Sequence, residues 1–522
     1  MNILRQPDHI ALSLQDEEGF GDAEVRVLPS DGGMYVSLTA LKSRPRLIQL
    51  RWDSEIPADA RILGDAWERA YGNLAWRGLE PDRCLPWYFL LRSGDKTVGC
   101  GVEVLPNAMV SWSVDNRGIS AYLDVRCGGV GVELNGRELT VCKILCESYV
   151  GSAYEAAVAF CKKMSPAPLL PEQPIYGGNN WYYAYGHSSY EEIISDAGLQ
   201  ATLAEGLENR PFMVIDAGWQ PNPCAGPWVP NEKYGDMKKV ADAFKEMGVR
   251  PGIWVRFLRD ERPELPVHWR LNKQRLSPDD PRVHRCYLDP SHPEVLDFIR
   301  QDVEKIVLDW GYQMIKHDFS EIDMFGAWGK NRNGVITNGD WAFYDRTKTS
   351  AEITKNFYKT ILDSTHGKAL ILGCNCIGHL LSGLAHLNRT GDDTSGVDWL
   401  RTRRMGVNTL AFRLCQNNIF FAADADCVGF IPGKIDWAKN RQWAELLAYS
   451  GSPLFISCAN GNLDAEQMEF MKKLYKIASE GGVHTEPLDW EQNNIPARYK
   501  QGDREVEYDW YTDVCDLNGE ML

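Results

Sequence analysis

The segment MIKHDFS carries Lys316 and Asp318 two residues apart. In an extended chain such residues point to the same side, so the ammonium and the carboxylate share one face and His317 takes the other. A neighbouring ammonium keeps a carboxylate ionised, the state a nucleophile needs. The same pair would serve equally as a structural ion pair in a core, and spacing alone does not separate the two. In NRTGDDTS, Asp392 and Asp393 follow Arg389. Where two carboxyl groups share a site, one is pushed up in pKa and can act as a general acid. Adjacent acids also cap helix N-termini, so this reading has its own bland rival. Trp181, Trp219 and Trp254 fall near the same predicted rim, where an indole face can cover the C–H face of a sugar ring. Two facing carboxylates with such rings beside them are what hydrolysis of a glycosidic bond requires.

Other chemistries lack their parts. The chain has no GxGxxG or GxxxxGK loop, no GxSxG elbow and no HExxH helix. His187, His317, His379 and His386 fall near predicted strand ends, and with Asp216 or Asp424 they would suit a metal-assisted hydrolase. Their spacing matches no standard ligand motif, so that is a minority reading, and the expectation is no metal and no cofactor.

The elements that must position these groups are legible as a series. From residue 175 onward, eight short apolar runs end in polar residues: PIYGGNNWYY, FMVIDAGWQ, PGIWVRF, QMIKHDFS, ALILGCN, AHLNRTGDD, NIFFAADAD and SPLFISC. Amphipathic stretches such as SSYEEIISDAGLQATLAEGL, KKVADAFKEMG and HPEVLDFIRQDVEKIVLDWG lie between most of them. Eight β–α units predict an α/β fold, a (β/α)8 TIM barrel, with a doubly wound sheet as runner-up. A barrel places its chemistry at the C-terminal ends of the strands. Those ends carry Asn179, Asn180 and Trp181, then Asp216 and Trp219, Lys316 and Asp318, Cys374 and Asn375, Arg389 with Asp392 and Asp393, and Asp424 with Asp426.

Residues 1–165 read as alternating runs broken by turns, such as MYVSLTAL and AMVSWSVDNRGISAYLDV, which predict an N-terminal antiparallel β-sandwich. It shows no catalytic constellation. A helical stretch, SAYEAAVAFCKKM, and a proline-rich linker lead into the barrel, expected over 172–460. The remainder, 461–522, predicts a helix and a short β-rich segment, brief enough to suggest an incomplete sheet domain.

Composition narrows the partners. The chain has 522 residues, a formal net charge of −16 and 18 tryptophans, with a pI of about 5.2. An acidic surface argues against a nucleic-acid or anionic-membrane partner and favours a neutral substrate. The N-terminus lacks the apolar core of a signal peptide, and the 14 cysteines are scattered without a CxxC pair, so reduced thiols and a cytoplasmic location are expected.

At these motifs the sequence resembles the α-galactosidase superfamily, the melibiase-like glycoside hydrolases of families 27 and 36 that also include raffinose synthase-like members. NNWYYAYG resembles the first-strand N-S-W segment, VIDAGWQ the D-D-G-W, GIWVRF the G-L-W, MIKHDFS the K-x-D, NRTGDDT the R-x-x-x-D, FFAADAD the N-D-P-D and SGSPLFIS the A-P-L-F-M-S. The resemblance covers about 175–457. It implies Asp318 as nucleophile and Asp393 as acid/base, with Asp392 the alternative if the register slips by one. It further implies that Lys316, Asp216, Trp181 and Arg389 bind the sugar, with Cys374 and Asn375 lining the subsite; Trp219, Trp254 and Asp392, read from their place at strand ends, complete the candidate substrate-binding residues. Two departures stand out. Ala217 replaces the second acid of D-D-G-W, which binds hydroxyls that identify galactose, and Arg256 stands where an acid is common, which would suit a different or charged substituent on the sugar.

The leading expectation is a retaining glycoside hydrolase cleaving terminal α-galactosides or related α-glycosides of oligosaccharides. Two alternatives are a raffinose synthase-like transglycosylase, in which an acceptor sugar replaces water, and a catalytically silent sugar-binding barrel. Whether copies of the chain associate as a homo-oligomer is left open.

Overall fold

The computed structural model describes residues 3–15, 21–271, 276–277, 279–327, 329–331 and 339–511. The end of the predicted C-terminal segment, 512–522, lies outside the described residues.

Alternation in the first part of the chain builds two antiparallel sheets. One runs in the order His9–Leu14, Pro45–Asp53, Gly118–Asp124, Met109–Asp115 and Leu85–Pro86. The other runs Glu24–Ser30, Gly33–Thr39, Leu139–Val150, Lys96–Val102, Tyr88–Ser93 and Arg61–Gly64. In Gly33–Thr39 the period of two is plain: Met34, Val36 and Leu38 are buried and Tyr35 is exposed. The inner faces meet where Phe89 packs edge-on to Trp112, centroids 5.8 Å apart. Helix Ala153–Met164, capped by the Ser152 hydroxyl accepting the Glu155 N–H, lies over the second sheet. Gly99 makes room for it, since a Cβ there would sit 2.5 Å from the Phe160 ring.

The barrel strands are Tyr176–Asn179, Phe212–Ile215, Arg250–Val255, Met314–His317, Leu370–Gly373, Leu387–Arg389, a seventh in two pieces, and Leu454–Ser457. All neighbours pair in parallel. The seventh run consists of Ala422–Asp424, which pairs with the sixth strand, and Cys427–Gly429, which pairs with the eighth. Only Ala425 and Asp426 separate the pieces, and Asp426 turns the chain with φ 73°. The sheet therefore closes on itself, and the eight apolar runs of the sequence become eight strands.

The period of two along each strand sorts the residues by depth. Phe212, Val214, Met314, Leu372, Leu387, Ala422, Cys427 and Phe455 form one apolar cluster, distinct from the larger core outside the strands. One step further along, the same inward rows carry Asp216, Lys316, Cys374, Arg389 and Asp424. An apolar plug thus underlies a polar floor, because each run changes from hydrophobic to reactive at its C-terminal end.

The amphipathic stretches form helices Tyr190–Leu203, Met237–Glu246 and Pro293–Glu304. Capping boxes start three helices: Ser189 with Glu192, Thr349 with Glu352, and Asp464 with Gln467. The last of these opens helix Ala465–Ser479. A three-stranded antiparallel sheet, Thr485–Pro487, Arg498–Gln501 and Arg504–Glu507, follows it. Among the described residues every cysteine is a free thiol, and no helix is long and apolar enough to cross a membrane.

Candidate active site

Asp318 stands just past the fourth strand and is 7% exposed. Its Oδ2 accepts a hydrogen bond from Trp254 Nε1 (2.9 Å), and its Oδ1 accepts from the Phe319 N–H (2.7 Å) and from Asn375 Nδ2. The local backbone is bent to make this possible. Phe319 (φ 63°) and Asn375 (φ 55°) are both left-handed, a conformation that a bulky residue such as Phe rarely takes. Such strain persists only where the surroundings enforce it, and it gathers at functional sites. Here it turns a backbone N–H and a side-chain amide onto one carboxylate.

Lys316, in register with Trp254 on the neighbouring strand, donates to Asp216 Oδ2 at 2.6 Å. Asn179 Nδ2 donates to the same oxygen (2.8 Å), and Asn180 Oδ1 accepts the Asp216 N–H (2.7 Å). The N-N pair of the first run therefore fixes the acid of the second. Burial works against the Lys316 charge, but Asp216, with Cys374 and Asp318, outweighs it and holds the ammonium well above the ordinary lysine range. Lys316→Met would leave Asp216 buried without its counter-charge. The expected result is a loss of about 3–5 kcal/mol in stability, read from urea unfolding.

Arg389 is the hub of the opposite wall. Its guanidinium reaches Asp426 at 2.8 Å, Asp393 at 3.3 Å and Cys374 Sγ at 3.6 Å. Asp426 also accepts from the Tyr182 hydroxyl, the Thr394 N–H (2.8 Å) and the Thr394 hydroxyl (2.9 Å). Although burial opposes ionisation, Arg389 and Lys316 keep Asp426 below the usual carboxylate range. Its neighbour Asp424 goes the other way: burial, with the Asp426 charge adding to it and Arg389 opposing, pushes it up to about 6.

Asp392 and Asp393 have different surroundings. Asp392 is tied by Arg69 at 3.0 Å and Arg401 at 3.1 Å, with its side chain 14% exposed. Asp393 keeps its side chain 41% exposed. Even so, the protein packed around its carboxyl group desolvates it and raises its pKa, and Asp426 adds to this while Arg389 opposes. Arg69 comes from the N-terminal sandwich, where the sequence showed no chemistry, and nothing local to it announced its place. The roles of Tyr182 and Asp426 were equally silent, although Asp426 was legible as a strand-end acid.

Several expectations need correcting. Trp219 offers no face to a sugar: it is fully buried between Trp228 (6.1 Å) and Trp310 (5.9 Å) and donates its Nε1–H to the Trp254 carbonyl. Trp254, 3% exposed, serves Asp318 through Nε1 and packs its ring on Trp228. Trp181 is partly exposed, on the short helix Trp181–Ala184. Arg256 is not free to meet a charged substituent, because it forks onto Asp323 and stacks over Phe319 at 4.2 Å. The histidines do not converge on the acids. His317 points outward between Phe257 and Phe357, with burial pushing its pKa down to about 3. His379 stacks on Trp87, His386 accepts the Ile371 N–H, and His187 is exposed. Among the described residues, His268, His292 and Glu294 bring potential ligand atoms within 4.8 Å of one another. They lie between the third and fourth strands, and Trp269 Nε1 already holds the Glu294 carboxylate at 2.7 Å.

No protein-family model matches the sequence, and a search of curated proteins finds no match. Solved structures do match. The α-galactosidase TtGalA of Thermus thermophilus, in complex with p-nitrophenyl α-D-galactopyranoside, superposes over 95% of this chain and 99% of its own, with a TM-score of 0.62 and 17% identity. The chain shares its fold with this α-galactosidase. The GH36 α-galactosidase AgaA of Geobacillus stearothermophilus, in complex with stachyose, covers 92% of this chain and 74% of its own at TM-score 0.59 and 13% identity. An α-galactosidase from Lactobacillus brevis gives 0.57 and 13%, covering 90% of this chain and 70% of its own. The likeness is one of barrel and preceding sheets, and it spans nearly the whole of the Thermus chain.

Proposed function

We propose that the protein is a retaining glycoside hydrolase that cleaves terminal α-galactosides or closely related α-glycosides of oligosaccharides. The observation that carries this reading is the contrast between two carboxylates. Asp318 accepts three hydrogen bonds, whereas Asp393 accepts one, at 3.3 Å, and remains open to solvent. Three donors fix the direction of a carboxylate, which suits a nucleophile that must be aimed at one carbon. A carboxyl group raised in pKa and open at the mouth suits the general acid.

In the first step Asp318 attacks the anomeric carbon while Asp393 gives its proton to the departing glycosidic oxygen. In the second, Asp393 takes a proton from water, which attacks the same carbon and releases Asp318. Double displacement of this kind calls for carboxyl groups roughly 5–5.5 Å apart. Lys316 and Asp216 would hold the sugar hydroxyls, with Cys374, Asn375 and Arg389 lining the subsite. The galactoside and stachyose of the neighbours' complexes support the substrate class. Ala217 leaves the wall one carboxylate short, so the reading extends to close relatives of galactose. Free thiols and an acidic surface favour action in the cytoplasm on a neutral sugar.

A panel of p-nitrophenyl glycosides tests the proposal: α-galactoside, α-N-acetylgalactosaminide, α-glucoside and β-L-arabinopyranoside. Hydrolysis of at least one, with the α-galactoside foremost among the α-glycosides, is expected. Binding without turnover on every member would favour the silent sugar-binding barrel instead.

A further inference from the structure

We propose that Arg69, on a loop of the N-terminal sandwich, is the positioning residue that holds Asp393 in place as the acid/base. The proposal rests on the glycosidase reading above.

The loop is bound to the sixth barrel strand as if it were a short extra strand. The Ala70 N–H donates to the Thr390 carbonyl and the Asp392 N–H donates to the Ala70 carbonyl, both at 2.9 Å. Arg413 fastens it on one side, pairing with Asp65 at 2.7 Å and donating to the Glu68 carbonyl at 2.7 Å. On the other side the Glu68 carboxylate accepts the Gly329 N–H at 3.1 Å, from the segment after the fourth strand. Arg69 is therefore delivered to one place. Its side chain is 8% exposed, and its Nη1 lies 3.0 Å from Asp392 and 3.9 Å from Asp393.

Asp392 completes the device. Its Oδ1 accepts the Asp393 N–H at 2.8 Å, and Arg401 holds its Oδ2. A carboxylate that fixes the Asp393 backbone is thus itself fixed by Arg69, and the same guanidinium reaches toward the Asp393 side chain. Arg69 also lines a cavity of about 480 Å³ together with Trp67, Tyr71 and Lys330.

The charged and titratable groups around Asp393 include Arg389, Asp426, Arg69 and Lys316, together with its neighbour Asp392, Tyr182, Tyr185 and Cys374. Among them Arg69 favours the carboxylate form. The first step needs Asp393 protonated, so kcat/KM falls as pH rises through its pKa. Removing a nearby cation raises that pKa and moves the basic limb to higher pH.

The test is the pH profile of kcat/KM for an oligosaccharide substrate. Arg69→Gln should move the basic limb up by about one pH unit, and Arg69→Lys, which keeps the charge, should restore it. Asp392→Asn should move the limb down, because a neighbouring negative charge is lost and Arg69 then faces Asp393 alone. This second variant decides the matter if Arg69→Gln fails to fold. A limb that stays in place in every variant that folds would overturn the proposal and leave Arg69 as a fastener between domains. Asp393→Asn separates the two claims. Full activity in that variant overturns the glycosidase assignment, whereas impaired activity with an unmoved limb in Arg69→Gln overturns only the role of Arg69.

Discussion

Asp318→Asn is expected to lower turnover of an α-galactoside by on the order of 10⁴-fold or more, the scale on which enzymes with a covalent step lose activity when the nucleophile goes. The substitution is nearly isosteric, and the amide carbonyl oxygen can still accept from the Phe319 N–H and Asn375 Nδ2, while its NH2 takes the place of the oxygen that met Trp254 Nε1. The fold should therefore survive with a urea midpoint lowered by the loss of that one hydrogen bond, about 1–3 kcal/mol, and the loss of activity should fall on kcat. Adding azide should then yield the β-glycosyl azide, since one direct displacement on an α-glycoside inverts the anomeric carbon. Full activity in Asp318→Asn would remove the residue from the mechanism.

Asp393→Asn should divide substrates by their leaving group. A sugar leaving group needs a proton, and its hydrolysis should fall by about 10²–10⁴-fold. A p-nitrophenolate leaves without help, so the first step should be little affected and the covalent intermediate should accumulate. Azide needs no general base, so it should speed the second step and give the α-glycosyl azide, the net result of two inversions. The two variants thus predict products of opposite configuration. Because Asp393 is 41% exposed and contacts Arg389 at 3.3 Å, its replacement should change stability little. The same experiment on Asp392→Asn discriminates the neighbouring acid. With Asp392 held by Arg69 and Arg401, that variant should retain its dependence on Asp393 and show no azide rescue.

The barrel was legible because its rule is local. Each run alternates with a period of two, and the inward row of Met314, Lys316 and Asp318 passes from apolar to reactive within five residues of chain. The opposite facing of His317 followed from the same count. Burial was less legible, because a tryptophan at a strand end can turn toward the axis or away from it. Trp254 turns to Asp318, while Trp219 turns to Trp228 and Trp310, and no spacing in VIDAGWQ separates those outcomes. Arg256 shows the limit of reading one position at a time. Its partner, Asp323, lies on helix Ser320–Phe325 beyond the next strand, and the fork between them neutralises the charge that the sequence alone would have aimed at a ligand. Arg69 lay further out of reach. Its meaning comes from the docking of a sandwich loop on the sixth strand, a contact between distant parts of the chain that no periodicity encodes.

The central claim is that Asp318 becomes covalently bound to sugar, and trapping that intermediate tests it most directly. A fluorinated α-galactosyl fluoride reacts quickly in the first step and slowly in the second, so the glycosyl-enzyme should accumulate. Peptide mapping by mass spectrometry should place a single sugar on Asp318, with no adduct in Asp318→Asn. An adduct on another carboxylate, or turnover of the reagent through Asp318→Asn, would contradict the account.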